Sequence, residues 1–208
     1  MNIPFVHSNS ERLSVSDPIW SGIPEHLIST DWKGDLSHSS RHFHFQLGWN
    51  MTFLFVRYRA QRNAECVIAS RPNLAVKTLG LWDRDVCEIF VAPALGTTDS
   101  YFEFEIAPTG EWVDLKISFE GERRITDTSY ESNGLFDSES QGDEDLMMIS
   151  IPWKSVDFTP SLGKTIKGNV FRCTGSDPNR GYLALWPTRS ECPNFHVPEA
   201  FGEFTLSD

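Results

Sequence analysis

Asp85 and Glu88 stand three residues apart, and Glu103 and Glu105 two apart; paired carboxylates are the raw material of general acid–base chemistry. A glycosidase needs two such groups about 5–5.5 Å apart to retain anomeric configuration, or about 6.5–9.5 Å apart to invert it. Asp85 with Glu88, or Glu88 with Glu105, could meet one of those separations. An acidic chain always offers such pairs, however, so the spacing discriminates little. Other catalytic signatures are absent from the sequence. There is no G-x-S-x-G elbow and no catalytic-cysteine motif, and the four cysteines, Cys66, Cys87, Cys173 and Cys192, form no C-x-x-C pair. His196 and Glu199 are three apart without an H-E-x-x-H frame. His42 and His44 share a strand face that is more often solvated than metal-binding. No D-x-D-x-D-G calcium loop is present, in the acidic stretch 137–145 or elsewhere. The chain reads as a protein without an enzymatic activity.

Individual residues carry more information. Glu88 interrupts an apolar run over residues 86–91, and a carboxylate buried there needs a specific partner; Arg84, Arg172 and Arg57 are the basic candidates for Glu88 and Asp85. Glu103 and Glu105 share one face of their strand, which on an open sheet reads as a solvated face. Asn169 and Arg172, three apart, point to opposite faces, Asn169 toward a site and Arg172 toward an internal ion pair. Trp82 precedes one strand and Trp186 closes another, so both belong at strand ends, where loops build sites. Trp20, Trp32, Trp112 and Trp153 read as structural.

The elements that position these residues are strands. The sequence is 12% aromatic, with seven Trp and fifteen Phe, which suits strands and ligand surfaces alike. Helical periodicity is nearly absent, and alternation recurs between Gly, Pro, Asn and Asp breaks. Strands are predicted over 42–49, 53–58, 86–91, 101–107, 112–119, 147–151, 166–173, 182–186 and 204–206. Asn50-Met51-Thr52 joins the first two as a hairpin, and short helices are predicted near 152–156 and 198–201. Residues 120–145, acidic and rich in Ser and Gly, read as a mobile surface excursion. The expectation is an all-β fold: one β-sandwich of two mostly antiparallel sheets with a few short helical turns, forming a single domain over residues 1–208.

A net charge of −11 disfavours nucleic acid and anionic lipid as partners, because no basic run is available to neutralise phosphates. No apolar run approaches the ~20 residues of a membrane span. The N-terminus lacks the basic and apolar regions of a signal peptide. The expected location is therefore cytoplasmic, or extracellular or periplasmic if a leader precedes the given sequence. Four reduced thiols follow from the cytoplasmic reading, with Cys87 and Cys173 acting as small buried hydrophobes. Nothing in the sequence calls for oligomerisation.

Three segments together resemble family-nine carbohydrate-binding modules. Leu81-Trp82-Asp83-Arg84-Asp85-Val86-Cys87-Glu88-Ile89-Phe90 fits W-x-x-D-x-x-E-[IVL]-F. Tyr101-Phe102-Glu103-Phe104-Glu105-Ile106-Ala107-Pro108-Thr109-Gly110 follows. The ending is Leu185-Trp186-Pro187, then Asn194-Phe195-His196-Val197-Pro198-Glu199-Ala200-Phe201-Gly202. Ile149-Ser150-Ile151-Pro152-Trp153, Gly168-Asn169-Val170-Phe171-Arg172, an opening Trp20 and a hairpin over 49–58 fall in the same order, so the resemblance covers most of the chain.

The resemblance implies a β-sandwich related to immunoglobulin-like and DOMON-type domains, and non-catalytic binding of a saccharide, possibly at a chain end. Two tryptophans would clamp the sugar, by position Trp82 and Trp186, with Glu88 as the site glutamate. Asp85, Glu105, Asn169 and Asn194 complete the candidate ligand-binding set, although Asn194 and His196 also suit fixing the closing loop. The resemblance implies no cofactor beyond a structural calcium ion held by loop oxygens, for which the acidic residues of 137–145 are the candidates. The chemistry is consistent, since flat aromatics match the C–H faces of a pyranose while carboxylates and amides match its hydroxyl rim. Where well-characterised members place an arginine and a glutamine, this chain has Glu105 and Phe171, which changes the available donors. Two alternatives stay open: a DOMON-like interaction or haem-binding module, with Met51 and His44 as candidate iron ligands by type, and a glycoside hydrolase.

Overall fold

The computed structural model describes residues 1–7, 13–62, 65–93 and 100–208. Over these residues the alternating segments pair into two sheets. The larger contains β1 (Asn2–Ile3), β5 (Val86–Ala92), β6 (Ser100–Ile106), β7 (Trp112–Glu120), β8 (Arg123–Asp127), β11 (Thr165–Thr174), β12 (Gly181–Ala184) and β13 (Gly202–Leu206). Its order is β1-β13-β11-β5-β6-β7-β8, with β12 also on β11. β13 pairs with the first half of β11 and β12 with the second half. The smaller sheet runs β2 (His26–Ile28), β3 (Phe43–Trp49), β4 (Phe53–Gln61), β10 (Glu144–Pro152), β9 (Leu135–Gln141). All pairings are antiparallel except β1 with β13. The helical content among the described residues is short 3₁₀ turns, two of them at Trp153–Val156 and Pro198–Ala200. The all-β sandwich is therefore the fold that forms.

Alternation decides which side each residue serves. Phe43, Phe45 and Leu47 of β3 and Leu54, Val56 and Tyr58 of β4 face Cys87, Ile89 and Val91 of β5 and Phe102, Phe104 and Ile106 of β6 across the inter-sheet core. Each fully buried large apolar side chain there contributes about 1.5–3 kcal/mol. The β3–β4 hairpin forms where expected, with Trp49 opposite Leu54. Asn50 closes it, its Oδ1 accepting from Thr52 N and Phe53 N at 2.8 Å each.

The larger sheet is covered on its outer face too. Phe90, Tyr101, Val113, Leu115 and Phe171 form a second cluster under Leu81, Phe195 and Phe201, which come from loops. That cover overturns the solvated-face reading of Glu103 and Glu105, which are 3% and 0% exposed. The excursion expected over 120–145 is also not what forms, since β8, β9 and the start of β10 occupy it. Edge strands need few apolar residues, because one backbone side and most side chains meet solvent. β9 supplies Phe136, which stacks on Trp112 of β7 with ring centroids 4.6 Å apart.

Candidate functional site

Trp82 sits in the 3₁₀ turn Leu81–Asp83, entered through Gly80 at φ +80°, a left-handed conformation that favours glycine. Leu81 plugs the outer cluster with no exposure, while the neighbouring Trp82 ring stands 40% exposed. Two polar side chains, the buried Asp85 and the half-buried Arg180, hold this turn in place. Asp85 accepts from Val67 N and Gly175 N at 2.8 Å each and from Thr174 Oγ1 at 2.6 Å, with the Arg172 guanidinium 3.8 Å away. Arg180 donates to the carbonyls of Asp83 and Arg84 at 2.8 Å and of Gly175 at 3.1 Å, and also to that of Trp82. Asp85 and Arg180 thus act as staples between the Trp82 turn and the end of β11. Sequence reasoning placed Asp85 in a ligand shell and did not single out Arg180, whose loop has no periodic pattern.

A cavity of about 810 Å³ opens on the outer face of the larger sheet beside this turn, within the size range of pockets that bury small ligands, about 300–1,000 Å³. Glu88, Glu103 and Cys173 line it from the sheet. Trp82, Asn194 and His196 contribute from turns and the closing loop, Tyr182 from β12, and Arg124 and Thr126 from β8. Asn194 Oδ1 accepts from His196 N at 3.0 Å, so Asn194 both shapes the closing loop and presents itself to the cavity. His196 Nδ1 lies 2.6 Å from the Tyr101 hydroxyl. Burial, reinforced by the Arg124 charge, pushes the His196 pKa down to about 3, so the imidazole is neutral and its 3.9 Å approach to Glu103 Oε2 is not an ion pair.

The carboxyl groups under the cavity are unusual. Glu88 on β5 lies directly opposite Glu105 on β6, and Glu103 is two residues along on the same face. One oxygen from each of the three lies within 4.8 Å of the others, and all three residues are buried. Burial first, then the neighbouring Glu103 charge, raises the Glu88 pKa well above the usual carboxylate range. Burial and the Glu88 and Glu103 charges do the same to Glu105. Glu103 is raised by burial, opposed by its hydrogen bond with Glu105 and by Arg124. Among the described residues this is the one group of three or more such side chains convergent enough to hold a metal ion. The stretch 137–145 does not converge: Asp137 accepts from Val15 N, and Asp145 is held by Arg62 and Ser140.

Of the other expected residues, Asn169 is fully buried beside Trp186. Its Nδ2 donates to Trp186 O at 2.8 Å and its Oδ1 accepts from Trp186 N at 3.1 Å. Both amide functions are therefore spent on backbone, and Asn169 does not line the cavity. Nor does Trp186, whose half-buried ring packs 5.1 Å from Phe204 and lies so close over Gly202 that a Cβ there would meet it at 2.3 Å. The cavity thus has one tryptophan in its lining, Trp82, with Tyr182, Phe195 and His196 as its other rings. Met51 projects from the β3–β4 turn, 62% exposed, beside a shallow cavity of about 530 Å³ that no histidine lines.

Comparison with known proteins agrees with this architecture. A carbohydrate-binding module of family nine from Caldicellulosiruptor kristjanssonii in complex with cellotriose superposes with a TM-score of 0.68 at 13% identity, covering 100% of this chain and 93% of that one. The module from the same organism in complex with glucose gives 0.67 at 14% identity, covering 100% and 96%. A protein from Bacteroides uniformis ATCC 8492, described as a candidate carbohydrate-binding protein, gives 0.78 at 19% identity, covering 100% and 98%. No curated protein matches the chain. The model of the family described as "Carbohydrate family 9 binding domain-like" matches residues 14–208, and on that match the chain belongs to the family-nine carbohydrate-binding domain-like family.

Proposed function

We propose that the chain binds a saccharide in the cavity beside Trp82 and performs no chemistry on it. The observation that carries this reading is the pairing of an exposed tryptophan face with a polar floor: the Trp82 ring stands at a cavity whose lining includes Glu88, Asn194 and Tyr182. A sugar ring presents C–H faces to aromatic rings and hydroxyls to carboxyls, amides and phenols, which this lining matches group for group. Family membership and the glucose and cellotriose complexes of related modules support the ligand class. Stacking is carried by Trp82 with Tyr182 as the second ring, while Trp186 keeps a packing role. The same reading extends to the end of a saccharide chain, rather than its middle, as the portion bound.

A small polar ligand buries few atoms, so Kd should fall at about 10–1,000 μM. The test is tryptophan fluorescence titrated with glucose, cellobiose, cellotriose and other mono- and disaccharides. Saturable change is expected in the wild type and in Trp186→Phe, with loss in Trp82→Ala. An unchanged response in a folded Trp82→Ala protein would remove this site from consideration. Release of reducing sugar abolished by Glu88→Gln would overturn the non-catalytic reading.

A further inference from the structure

The sugar-facing groups of the cavity do not account for its floor. Glu105 has no exposure, and among the described residues no backbone N–H, amide, guanidinium or alcohol donates to either of its oxygens, which leaves the neighbouring Glu103 carboxyl as its hydrogen-bonding partner. No such donor reaches Glu103 Oε2. Glu88 Oε1 receives only the Cys173 thiol, at 3.5 Å. The nearby guanidinium groups act on the cluster only from a distance: the Arg180 charge reaches Glu88 and the Arg124 charge reaches Glu103, but Arg180 donates to four backbone carbonyls and Arg124 lines the cavity from β8. Burying one unpaired carboxylate costs several kcal/mol, and three side by side add mutual repulsion. A natural core does not carry such a group without a compensating charge or protons.

We infer that Glu88, Glu103 and Glu105 hold a hard divalent cation, of the calcium class, at the floor of the cavity. Three features support a cation there. The three side chains project from neighbouring central strands with Glu88 opposite Glu105, so their backbone positions are fixed by the sheet rather than by a loop. One oxygen of each lies within 4.8 Å of the others. Oxygens bound to calcium at about 2.3–2.6 Å can be separated by up to roughly twice that distance, so the cluster fits one shared ion with little movement. Finally, Glu88 and Glu103 also line the cavity while Glu105 does not. An ion bound between them would be fully enclosed on the protein side and would present its remaining coordination positions to the cavity, where water or vicinal saccharide hydroxyls are suitable oxygen ligands. This last step rests on the proposed saccharide reading; the ion site itself does not.

The experiment starts from protein stripped with a chelator and exchanged into chelator-free buffer at pH 7. Calcium is titrated by calorimetry, and terbium by luminescence sensitised through tryptophan. Binding of one ion per chain is expected, with a raised Tm, and affinity should fall at least tenfold in Glu105→Gln and in Glu103→Gln. Glu139→Gln, an exposed carboxylate on β9, should bind as the wild type does. Should the buried variants fail to fold, manganese added to isotopically labelled wild type locates the ion without mutation. Broadening centred on the amides of residues 88 and 103–105 supports the site, and broadening elsewhere overturns it. Absence of calcium, terbium and manganese binding overturns it as well, as does undiminished binding in a folded Glu105→Gln. A wild type that binds no cation, alongside a Glu105→Gln variant of higher Tm, would mean that the cluster stores protons instead. Saccharide titrations with and without EDTA separate the two readings. Cation binding without any saccharide response leaves the ion site standing and sinks the proposed function. A saccharide response indifferent to EDTA, in protein that binds no cation, does the reverse.

Discussion

Asp85 is 1% exposed and joins three stretches of chain: the segment at Val67, its own turn, and the end of β11 at Thr174 and Gly175. Removing its carboxylate would leave the buried N–H of Gly175 and the partly buried N–H of Val67 without an acceptor, at about 1–3 kcal/mol for a buried group, and Arg172 without its nearest anion. Asp85→Ala is therefore expected to destabilise by about 3–5 kcal/mol, read as a lowered urea midpoint at constant m-value. Asp85→Asn retains one acceptor and should lose less. Saccharide affinity should fall in both, because the turn carrying Trp82 is one of the tied stretches; a stable Asp85→Ala protein with wild-type midpoint would contradict the staple role. At this scale the sequence was legible where a residue broke a pattern. Glu88 stands out because it interrupts an apolar strand, and Trp82 because it sits at a strand's entrance. Arg180 did not stand out, since a residue that binds four carbonyls leaves no periodic trace. Glu103 and Glu105 were misjudged because their burial depends on Phe195, His196 and Phe201, some ninety residues later in the chain.

Elements show the same division between local and distant causes. The central strands β3 to β7, β10 and β11 were readable because alternation and turn residues specify them locally. β8 and β9 escaped, because edge strands tolerate polar residues on most positions and their existence depends on an already formed neighbour to pair with, β7 and β10 respectively. The placement of Trp186 is likewise a matter between elements. The absent side chain at Gly202, the first residue of β13, creates the space its ring occupies, and Asn169 on β11 holds its backbone at both N and O. Gly202→Ala would put a Cβ 2.3 Å from that ring, so it should force Trp186 or β13 to move at a cost of about 1–3 kcal/mol. Lowered Tm, with the Trp82-dependent saccharide response preserved, is the expected result. Loss of saccharide binding in a protein of unchanged Tm would instead return Trp186 to the ligand shell.

Over the whole molecule, the connectivity makes independent folding of either sheet impossible to arrange simply. The chain passes from β1 in the larger sheet to β2–β4 in the smaller, back to β5–β8, across again to β9 and β10, and returns to β11–β13. Neither sheet is a continuous stretch of sequence, and both bury their inner faces in the same core, where Phe43, Leu54 and Ile149 of one meet Ile89, Phe104 and Val170 of the other. An isolated bridge between Asp31 and Leu183 ties the two further at the side of β12. Separating the sheets would expose both inner faces at about 25 cal/mol per Å² of apolar surface, far more than either could recover alone. The molecule should therefore unfold in one cooperative step across all of residues 1–208, with far-UV circular dichroism, near-UV circular dichroism and tryptophan fluorescence giving coincident urea transitions. The tryptophans make the test discriminating, since Trp153 lies in the inter-sheet core, Trp20 against the outer face of the smaller sheet, and Trp82 at the cavity on the larger one. Transitions separated by more than the fitting error, with the outer face of one sheet melting before the shared core, would show that the chain is divided into units that its topology does not predict.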